Sequence, residues 1–328
     1  MAVKINIPTI EGMTLKTKGK YVADDIFMNV DIPKYDGSVT GGNVAENPLQ
    51  PILDSVKQAL INKGVASEDT PNSELVNVIK ETSFLKSLFN TTKSAKYLFS
   101  SYGGESIEDI IRYNDTENVE DMSYMFVYAR KLKNIPFFDT SKVTTMSNMF
   151  NSCDGIETIP QINTENVEDM SRMFMYSLIR IVPHLTTSKV TTMSNMFNKC
   201  YSLRSVPQLD TSNVTDMTSM FYSCEKISTI DITSLDKISS TSYIASFAYN
   251  CYSLTKLIIR TMTVIPPLST NSFTNCYHFN GTPSNTYNPE GLKDGRIYIP
   301  DDKVEELKQA TNWSAYADII VPLSTLEE

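Results

Sequence analysis

Five copies of one eight-residue pattern occupy the middle of the chain and limit what it can fold into. The pattern is V-x-x-M-[ST]-x-M-F, and its copies end at Phe126, Phe150, Phe174, Phe197 and Phe221. These phenylalanines are 24, 24, 23 and 24 residues apart, and weaker copies end at Phe99, Phe247 and Phe273. A period in the low twenties is typical of a solenoid, in which stacked neighbours bury the apolar faces that no repeat can bury alone.

Each copy has two parts with different apolar spacing. In residues 143–150 the apolar residues step by three, three and one, which predicts one face of a short helix. Asp139 and Thr140 precede it and are residue types that cap a helix N-terminus. Residues 132–136, 156–160 and 203–207 follow a phenylalanine and predict short strands that end in proline, which cannot donate to a sheet ladder.

Residues 200–221, from Cys-Tyr-Ser-Leu to Met-Phe, resemble the BspA-like leucine-rich repeats of bacterial surface proteins. The resemblance covers roughly residues 96–280. It implies an α/β leucine-rich-repeat solenoid, with a short helix and a short parallel strand in each repeat of about 24 residues. It also implies a binding or structural role and no catalytic residues.

The first 82 residues carry different patterns. Residues 5–7 and 27–32 alternate apolar and polar residues and predict strands of a small β module over residues 1–44. Residues 45–82 predict a linker and a helical pair. The phrase G-x-T-L-x-T-x-G-K-Y at residues 12–21 resembles a module near the N-termini of phage virion and tail proteins. Residues 59–75 resemble a helical pair of phage structural proteins, so residues 1–82 are expected to attach the chain to a particle.

The remaining chain is assigned to the solenoid at residues 83–295 and to a C-terminal cap at residues 296–328. The cap is expected to contain a strand at residues 296–300, a helix that begins near Asp301 and a strand at residues 319–322. Trp313 is expected to lie in the core of this cap, which shields the last repeat from water.

Charge and hydropathy exclude several classes of protein. The net charge of −9 argues against nucleic acid as a partner, because phosphate neutralisation needs clustered Lys and Arg. No apolar run is long enough to predict a membrane span. The opening residues lack the apolar segment of a secretory signal, which favours a virion protein released by lysis over an exported one.

Five cysteines each lie three or four residues after a repeat phenylalanine, where Ala129 and Ser177 stand in two other copies. A position that accepts Cys, Ala or Ser predicts a small buried side chain and a free thiol. The odd count argues against a disulfide framework, and the absence of C-x-x-C argues against a metal site. The cysteines are Cys153, Cys200, Cys224, Cys251 and Cys276.

Nothing in the sequence predicts an enzyme. The two histidines, His184 and His278, lack a partner pattern for general base catalysis or metal ligation. No phosphate-binding loop, nucleophile elbow or glycine fingerprint is present. We therefore expect no catalytic residues, no cofactor and no metal.

Two sets of residues are candidates for ligand contact. Seven tyrosines fall one to five residues after a repeat phenylalanine and could form a rail for sugar rings or protein partners, or could simply shield the edge of the core. The second set lies on the exposed strand row, the surface that solenoids generally use for binding. The candidates are Tyr128, Tyr176, Tyr201, Tyr222, Tyr249, Tyr252 and Tyr277 on the rail, and Lys133, Glu157, Arg180 and Arg204 on the row.

The sequence thus predicts a bacteriophage virion structural protein in the tail, the baseplate or another surface appendage. Its partners would be other virion proteins through residues 1–82 and a host-surface glycan or protein through the solenoid. A virion position would imply symmetric copies. The alternatives are a bacterial surface adhesin or secreted repeat protein, and a purely structural or capsid-decorating virion protein.

Overall fold

The structure is a computed structural model that describes residues 90, 93–107, 111, 113–282, 286–288 and 290–327. The predicted β module at residues 1–44 and the helical pair at residues 45–82 lie outside the described residues. The described part is mixed α/β, with few helices and one small parallel sheet. Its α-helices are α1 (Tyr277–Asn280) and α2 (Val304–Gln309).

Four short strands form a parallel sheet in the C-terminal half of the described chain. They are β1 (Thr229–Ile232), β2 (Lys256–Ile259), β3 (Arg296–Ile299) and β4 (Ile320–Pro322), hydrogen-bonded in that order. Buried Ile230, Leu257, Ile297 and Ile320 lie side by side across the sheet. The strands predicted at residues 296–300 and 319–322 are confirmed.

The earlier strand predictions, at residues 132–136, 156–160 and 203–207, were wrong. The described backbone has one isolated parallel bridge in the first segment (Ser106 with Asn134) and one in the third (Ile181 with Ser205), and residues 156–160 form neither a strand nor a bridge. In those repeats a proline lies ten residues after the phenylalanine, or nine after Phe174, and it cannot donate to a ladder. Asp231 in β1 and Ile258 in β2 occupy the same position, and there the ladder continues.

The predicted helix in each repeat was also wrong, because the V-x-x-M-[ST]-x-M-F segments are consecutive tight turns. Met149 N donates to Met146 O at 3.1 Å, and Asn148 between them has a φ of 57°. A left-handed residue cannot continue a right-handed helix. The equivalent positions of the other four copies are also left-handed: Tyr124, Arg172, Asn195 and Ser219.

These turns form a regular backbone ladder to the next repeat. Met146 N donates to Asp169 O, Asn148 N to Ser171 O and Phe150 N to Met173 O, at 2.8–3.0 Å. The same set recurs from the Phe126 repeat to the Phe221 repeat. Every second amide N–H of a turn thus donates to a main-chain oxygen of the next repeat, as in a parallel strand. These bonds stack each repeat on the next.

The predicted helix caps instead stabilise turns and join repeats. Asp139 Oδ1 accepts from Ser141 N at 3.0 Å, which closes a local turn. Thr140 is buried, and its hydroxyl donates to Asn163 O of the next repeat at 2.7 Å. Thr164 and Thr187 make the equivalent bonds at 2.9 Å. A side chain that was expected to begin a helix therefore holds two repeats together.

Buried phenylalanines form the centre of the core. From Phe99 to Phe221, neighbouring rings stack with centroids 5.4–5.6 Å apart and interplanar angles of 2–13°. The valine and methionines of each pattern are also buried. At the C-terminal end, buried Trp313 lies 6.3 Å from Phe273 and donates its indole N–H to Pro266 O, which confirms its predicted place in the core.

The seventh repeat is shifted by one residue from the sequence alignment. Phe221 N donates to Phe247 O, whereas Phe197 N donates to Met220 O, so Phe247 occupies the position of the second methionine. Ala248, which is fully buried, takes the phenylalanine position. Because of this shift, the Phe221 and Phe247 rings meet edge to face at 86°.

All five cysteines are free and buried, as predicted. The sulfur of each donates to the main-chain oxygen at the phenylalanine position of the preceding repeat, at 3.0–3.1 Å. Cys153 bonds to Phe126 O in this way, and Cys276 to Ala248 O. The thiols are therefore part of the contacts between repeats.

Candidate ligand-binding surface

The seven candidate tyrosines occupy three different positions in the repeats. Tyr222 and Tyr249 lie one residue after the phenylalanine position, Tyr128 and Tyr176 lie two after it, and the other three lie four after it. Ser152 separates Tyr128 from Tyr176 at the equivalent position of the intervening repeat. The seven tyrosines therefore do not share one equivalent position along the repeats.

The structure does bring most of these tyrosines together in the C-terminal repeats. Tyr222 stacks on Tyr249 with centroids 5.0 Å apart, and Tyr252 stacks on Tyr277 at 5.3 Å. Tyr287, from the loop after α1, packs against Tyr252 at 4.8 Å and against Tyr277 at 6.4 Å. Its hydroxyl donates to the Glu225 carboxylate at 3.2 Å.

Two phenols of this group have raised pKa values. Burial raises the pKa of Tyr252, and Glu225, Tyr277, Tyr287 and Tyr222 add smaller contributions in the same direction. Burial followed by Glu225 also raises the pKa of Tyr287. Both phenols are therefore neutral hydrogen-bonding groups at physiological pH.

A lysine lies at the other end of the same surface. Lys199 Nζ donates to the Tyr176 hydroxyl at 2.9 Å and lies 4.7 Å from the centre of that ring. The hydrogen bond to Tyr176 raises the pKa of Lys199, and Tyr201 and Tyr222 contribute in the same direction. We call the following residues the tyrosine patch: Tyr176, Lys199, Tyr201, Tyr222, Glu225, Tyr249, Tyr252, Tyr277 and Tyr287.

A smaller aromatic group lies near the first described repeat, and the sequence analysis missed it. Tyr97 and Tyr124 stack with centroids 4.8 Å apart, and Lys96 Nζ lies 5.6 Å from both ring centres. Both tyrosines precede a phenylalanine by two residues, at the left-handed position of the turn. Tyrosines after the phenylalanine were the only ones considered.

Three of the four charged side chains of the strand row form ion pairs. Lys133 Nζ lies 3.0 Å from Glu105, and Arg180 lies 3.3 Å from Glu157. All four side chains are more than half exposed, so each pair contributes about 0–1 kcal/mol. Arg204 is exposed and forms no ion pair with another residue of the described chain. The row thus offers a ligand few free charges.

The histidines do not form part of the tyrosine patch. His278 Nδ1 lies 2.7 Å from Asp294 Oδ1, and His278 O accepts from Gly295 N. Both contacts join α1 to the residues that precede β3. His184 is exposed, and its main-chain oxygen accepts from Gln161 Nε2. The described ranges contain neither a metal-ligand cluster of His, Cys, Asp and Glu nor a helix with the length and apolarity of a membrane span.

The described residues therefore define a mixed α/β protein built of stacked repeats with an aromatic surface patch. Residues 93–180 and 177–286 match the family model described as "Mycoplasma protein of unknown function, DUF285". The two matches together cover more than half of the chain, and the chain belongs to this family of BspA-like repeat proteins. A comparison with the curated proteins finds no match.

Proposed function

We propose that the repeats form a leucine-rich-repeat solenoid, carried by a bacteriophage virion on its tail, baseplate or another surface appendage, and that this solenoid binds the host cell surface. The backbone ladder between repeats supports the solenoid, because it recurs with the sequence period. The phage-like motifs in residues 1–82 support the virion.

The tyrosine patch is the observation that carries the binding role. The alternative is that the tyrosines only shield the core. Elsewhere in the chain, however, the same positions hold polar residues: Asn151 and Asn198 stand where Tyr222 does, and Asp154 stands where Tyr201 does. Folding therefore does not require an aromatic ring at these positions. A group of partly exposed tyrosines is better explained by recognition of a partner.

The role we propose is adhesion without catalysis. Residues 1–82 would contact other virion proteins, and symmetric copies on the particle would present several tyrosine patches at once. Multiple weak contacts held on one particle give a strong overall attachment.

Purified virions from the producing strain test the virion assignment. Mass spectrometry of gradient-purified particles should detect this chain, and deletion of residues 1–82 should remove it from the particles while the repeats remain in the lysate. Absence of the full chain from purified particles would contradict the assignment.

A bacterial surface adhesin is the second candidate, and the family description favours it because it names a bacterium. Protease shaving of intact, uninfected cells distinguishes the two candidates. Release of peptides from this chain would favour the adhesin, whereas their release only after phage induction would favour the virion protein.

A further inference from the structure

Tyr201 has the most open ring of the patch, because Lys199 lies over the ring of Tyr176, which is 40% exposed. Tyr201 is 41% exposed, and in the described part of the chain it stacks on no other ring. Tyr222, Tyr249, Tyr252 and Tyr277, by contrast, are half-buried and use a face of each ring to stack on a neighbour. Tyr201 is thus the platform of the patch on which a flat ligand surface can lie.

Hydrogen-bonding groups of both kinds occupy neighbouring positions of the repeats. Lys199 lies two residues before Tyr201, and an ammonium group can only donate. Glu225 occupies in the next repeat the position that Tyr201 holds, four residues after the phenylalanine, and a carboxylate can only accept. The neighbouring phenols can do both, so the site matches a ligand that presents many hydroxyl groups.

The residue types of this surface favour a sugar over a protein partner. One, two and four residues after the phenylalanine position, the last four repeats carry only Tyr, Asn, Ser, Thr, Lys and Glu. The Phe126 and Phe174 repeats carry Val127, Met175 and Leu178 at these positions. From Tyr201 onwards the patch therefore lacks the aliphatic groups that fill the core of a protein interface, and Leu178, at the position of Tyr201 in the preceding repeat, is an exposed aliphatic side chain at its border.

The charges of the patch exclude a polyanion. Its one cation, Lys199, and its one anion, Glu225, balance, and the cation already bonds to the Tyr176 hydroxyl. A teichoic acid or another polyphosphate would need several cations close together. A neutral chain of sugars needs none.

We propose that the tyrosine patch is a binding site for a neutral glycan, with one sugar ring on Tyr201, its hydroxyls bonded to Glu225 and Lys199, and the chain continuing along the tyrosine hydroxyls of the following repeats. This proposal rests on the surface-binding function proposed above and gives that function a site and a ligand class.

The test is a glycan array probed with the full-length chain and three variants. The array carries neutral probes (mannan, dextran, β-glucan and chito-oligosaccharides) and anionic probes (lipoteichoic acid and polygalacturonate). The variants are Tyr201→Ala, Glu225→Gln and the control Tyr243→Ala, whose tyrosine is 44% exposed but lies before Phe247 and outside the patch. Circular dichroism verifies that each variant is folded.

We expect binding to at least one neutral probe, a loss of about tenfold or more for Tyr201→Ala and Glu225→Gln, and no change for Tyr243→Ala. Absence of binding to every neutral probe, stronger binding to the anionic probes, or unchanged binding by folded Tyr201→Ala would overturn the proposal.

Binding to intact host envelopes separates this proposal from the function on which it rests. Envelope binding that Tyr201→Ala leaves unchanged would refute the glycan site and leave host attachment standing. Loss of envelope binding in Tyr201→Ala and Glu225→Gln, but not in Tyr243→Ala, would support both. Array binding without envelope binding would retain the glycan site and refute host attachment.

Discussion

At the scale of single residues, the position three residues after each phenylalanine shows how the repeats constrain the chain. Each side chain there must fit between two stacked turns, and the cysteines also donate to the repeat before them. Burial raises the pKa of Cys200 to about 12, against the opposing effect of its bonds with Ser177. Buried thiols of this kind are inert until the stack opens.

The buried thiols should make the stability depend on alkaline pH. Their folded-state pKa values lie above the ordinary value near 9.0, so the neutral thiol is the form that the fold retains. Their contribution to the unfolding free energy is complete below about pH 9 and is lost as the pH rises from about 9 towards 12, because only the unfolded chain ionises there. In this pH window, each thiol lowers the unfolding free energy by up to about 1.4 kcal/mol per pH unit.

Urea unfolding at a series of pH values measures this effect, and Cys200→Ala is the matched variant because Ala129 occupies the same position naturally. The variant should lose stability less steeply above about pH 9 than the native chain. Equal slopes, or rapid reaction of the native thiols with Ellman's reagent at neutral pH, would show that the cysteines are not sealed in the core.

At the scale of elements, the apolar spacing indicated the correct core but the wrong backbone. Steps of three and three place the same residues inward in a helix and in successive three-residue turns, so Val143, Met146 and Met149 are buried in either case. The two structures differ at the residue before the second methionine. This residue would have ordinary helical dihedral angles in a helix, whereas in the observed turns it has a positive φ.

A pair of substitutions at Arg172 distinguishes the two structures. Its φ is 56°, and Asn148 and Asn195 occupy the equivalent positions of the flanking repeats. Arg172→Asn should raise the unfolding free energy by roughly 0.5 kcal/mol, because Asn adopts the left-handed region more readily than Arg. In a helix the same change would be destabilising.

Arg172→Val is the opposing variant, since a β-branched residue is a poor fit to a positive φ. It should lower the unfolding free energy by roughly 1 kcal/mol or more. Chemical denaturation of both variants gives the sign of each change in the unfolding free energy. A destabilised Arg172→Asn would contradict the turn structure.

The repeat alignment missed the register of one repeat and one contact made by a loop. The alignment placed Phe247 at the phenylalanine position, yet Cys251 lies four residues after Phe247 and three after Ala248. That spacing was the signal for the shifted register. Tyr287 completes the tyrosine patch from 62 residues beyond its partner Glu225, a contact that no local period encodes. Sequence period predicts which residues repeat, whereas contacts made by a loop depend on its path.

At the scale of the whole molecule, the contacts run mainly between neighbouring repeats. Repeats that begin with the same sequence should therefore be interchangeable. Residues 116–118 and 164–166 are both Thr-Glu-Asn. Deletion of residues 119–166 would rejoin the chain at an identical sequence. Lys189, which now donates to Asn166 at 2.6 Å, would meet Asn118, which now accepts the same bond from Lys142.

This deletion should leave a folded protein with unchanged ellipticity per residue and a lower unfolding free energy, because stability in stacked repeats is approximately a sum over repeats and their interfaces. Far-UV circular dichroism and urea unfolding measure both quantities. Aggregation, or loss of a cooperative transition, would show that the two deleted repeats make contacts that their neighbours cannot replace.

Host attachment by the repeats is the central functional claim, and one binding measurement tests it most directly. Full-length protein, residues 1–82 and residues 83–328 would be incubated with cell envelopes from a panel of candidate hosts, and the bound fractions compared. We predict that the full-length chain and residues 83–328 bind envelopes of at least one host and that residues 1–82 do not. Binding by residues 1–82 alone, or by none of the three, would contradict attachment through the repeats and favour a purely structural or capsid-decorating role.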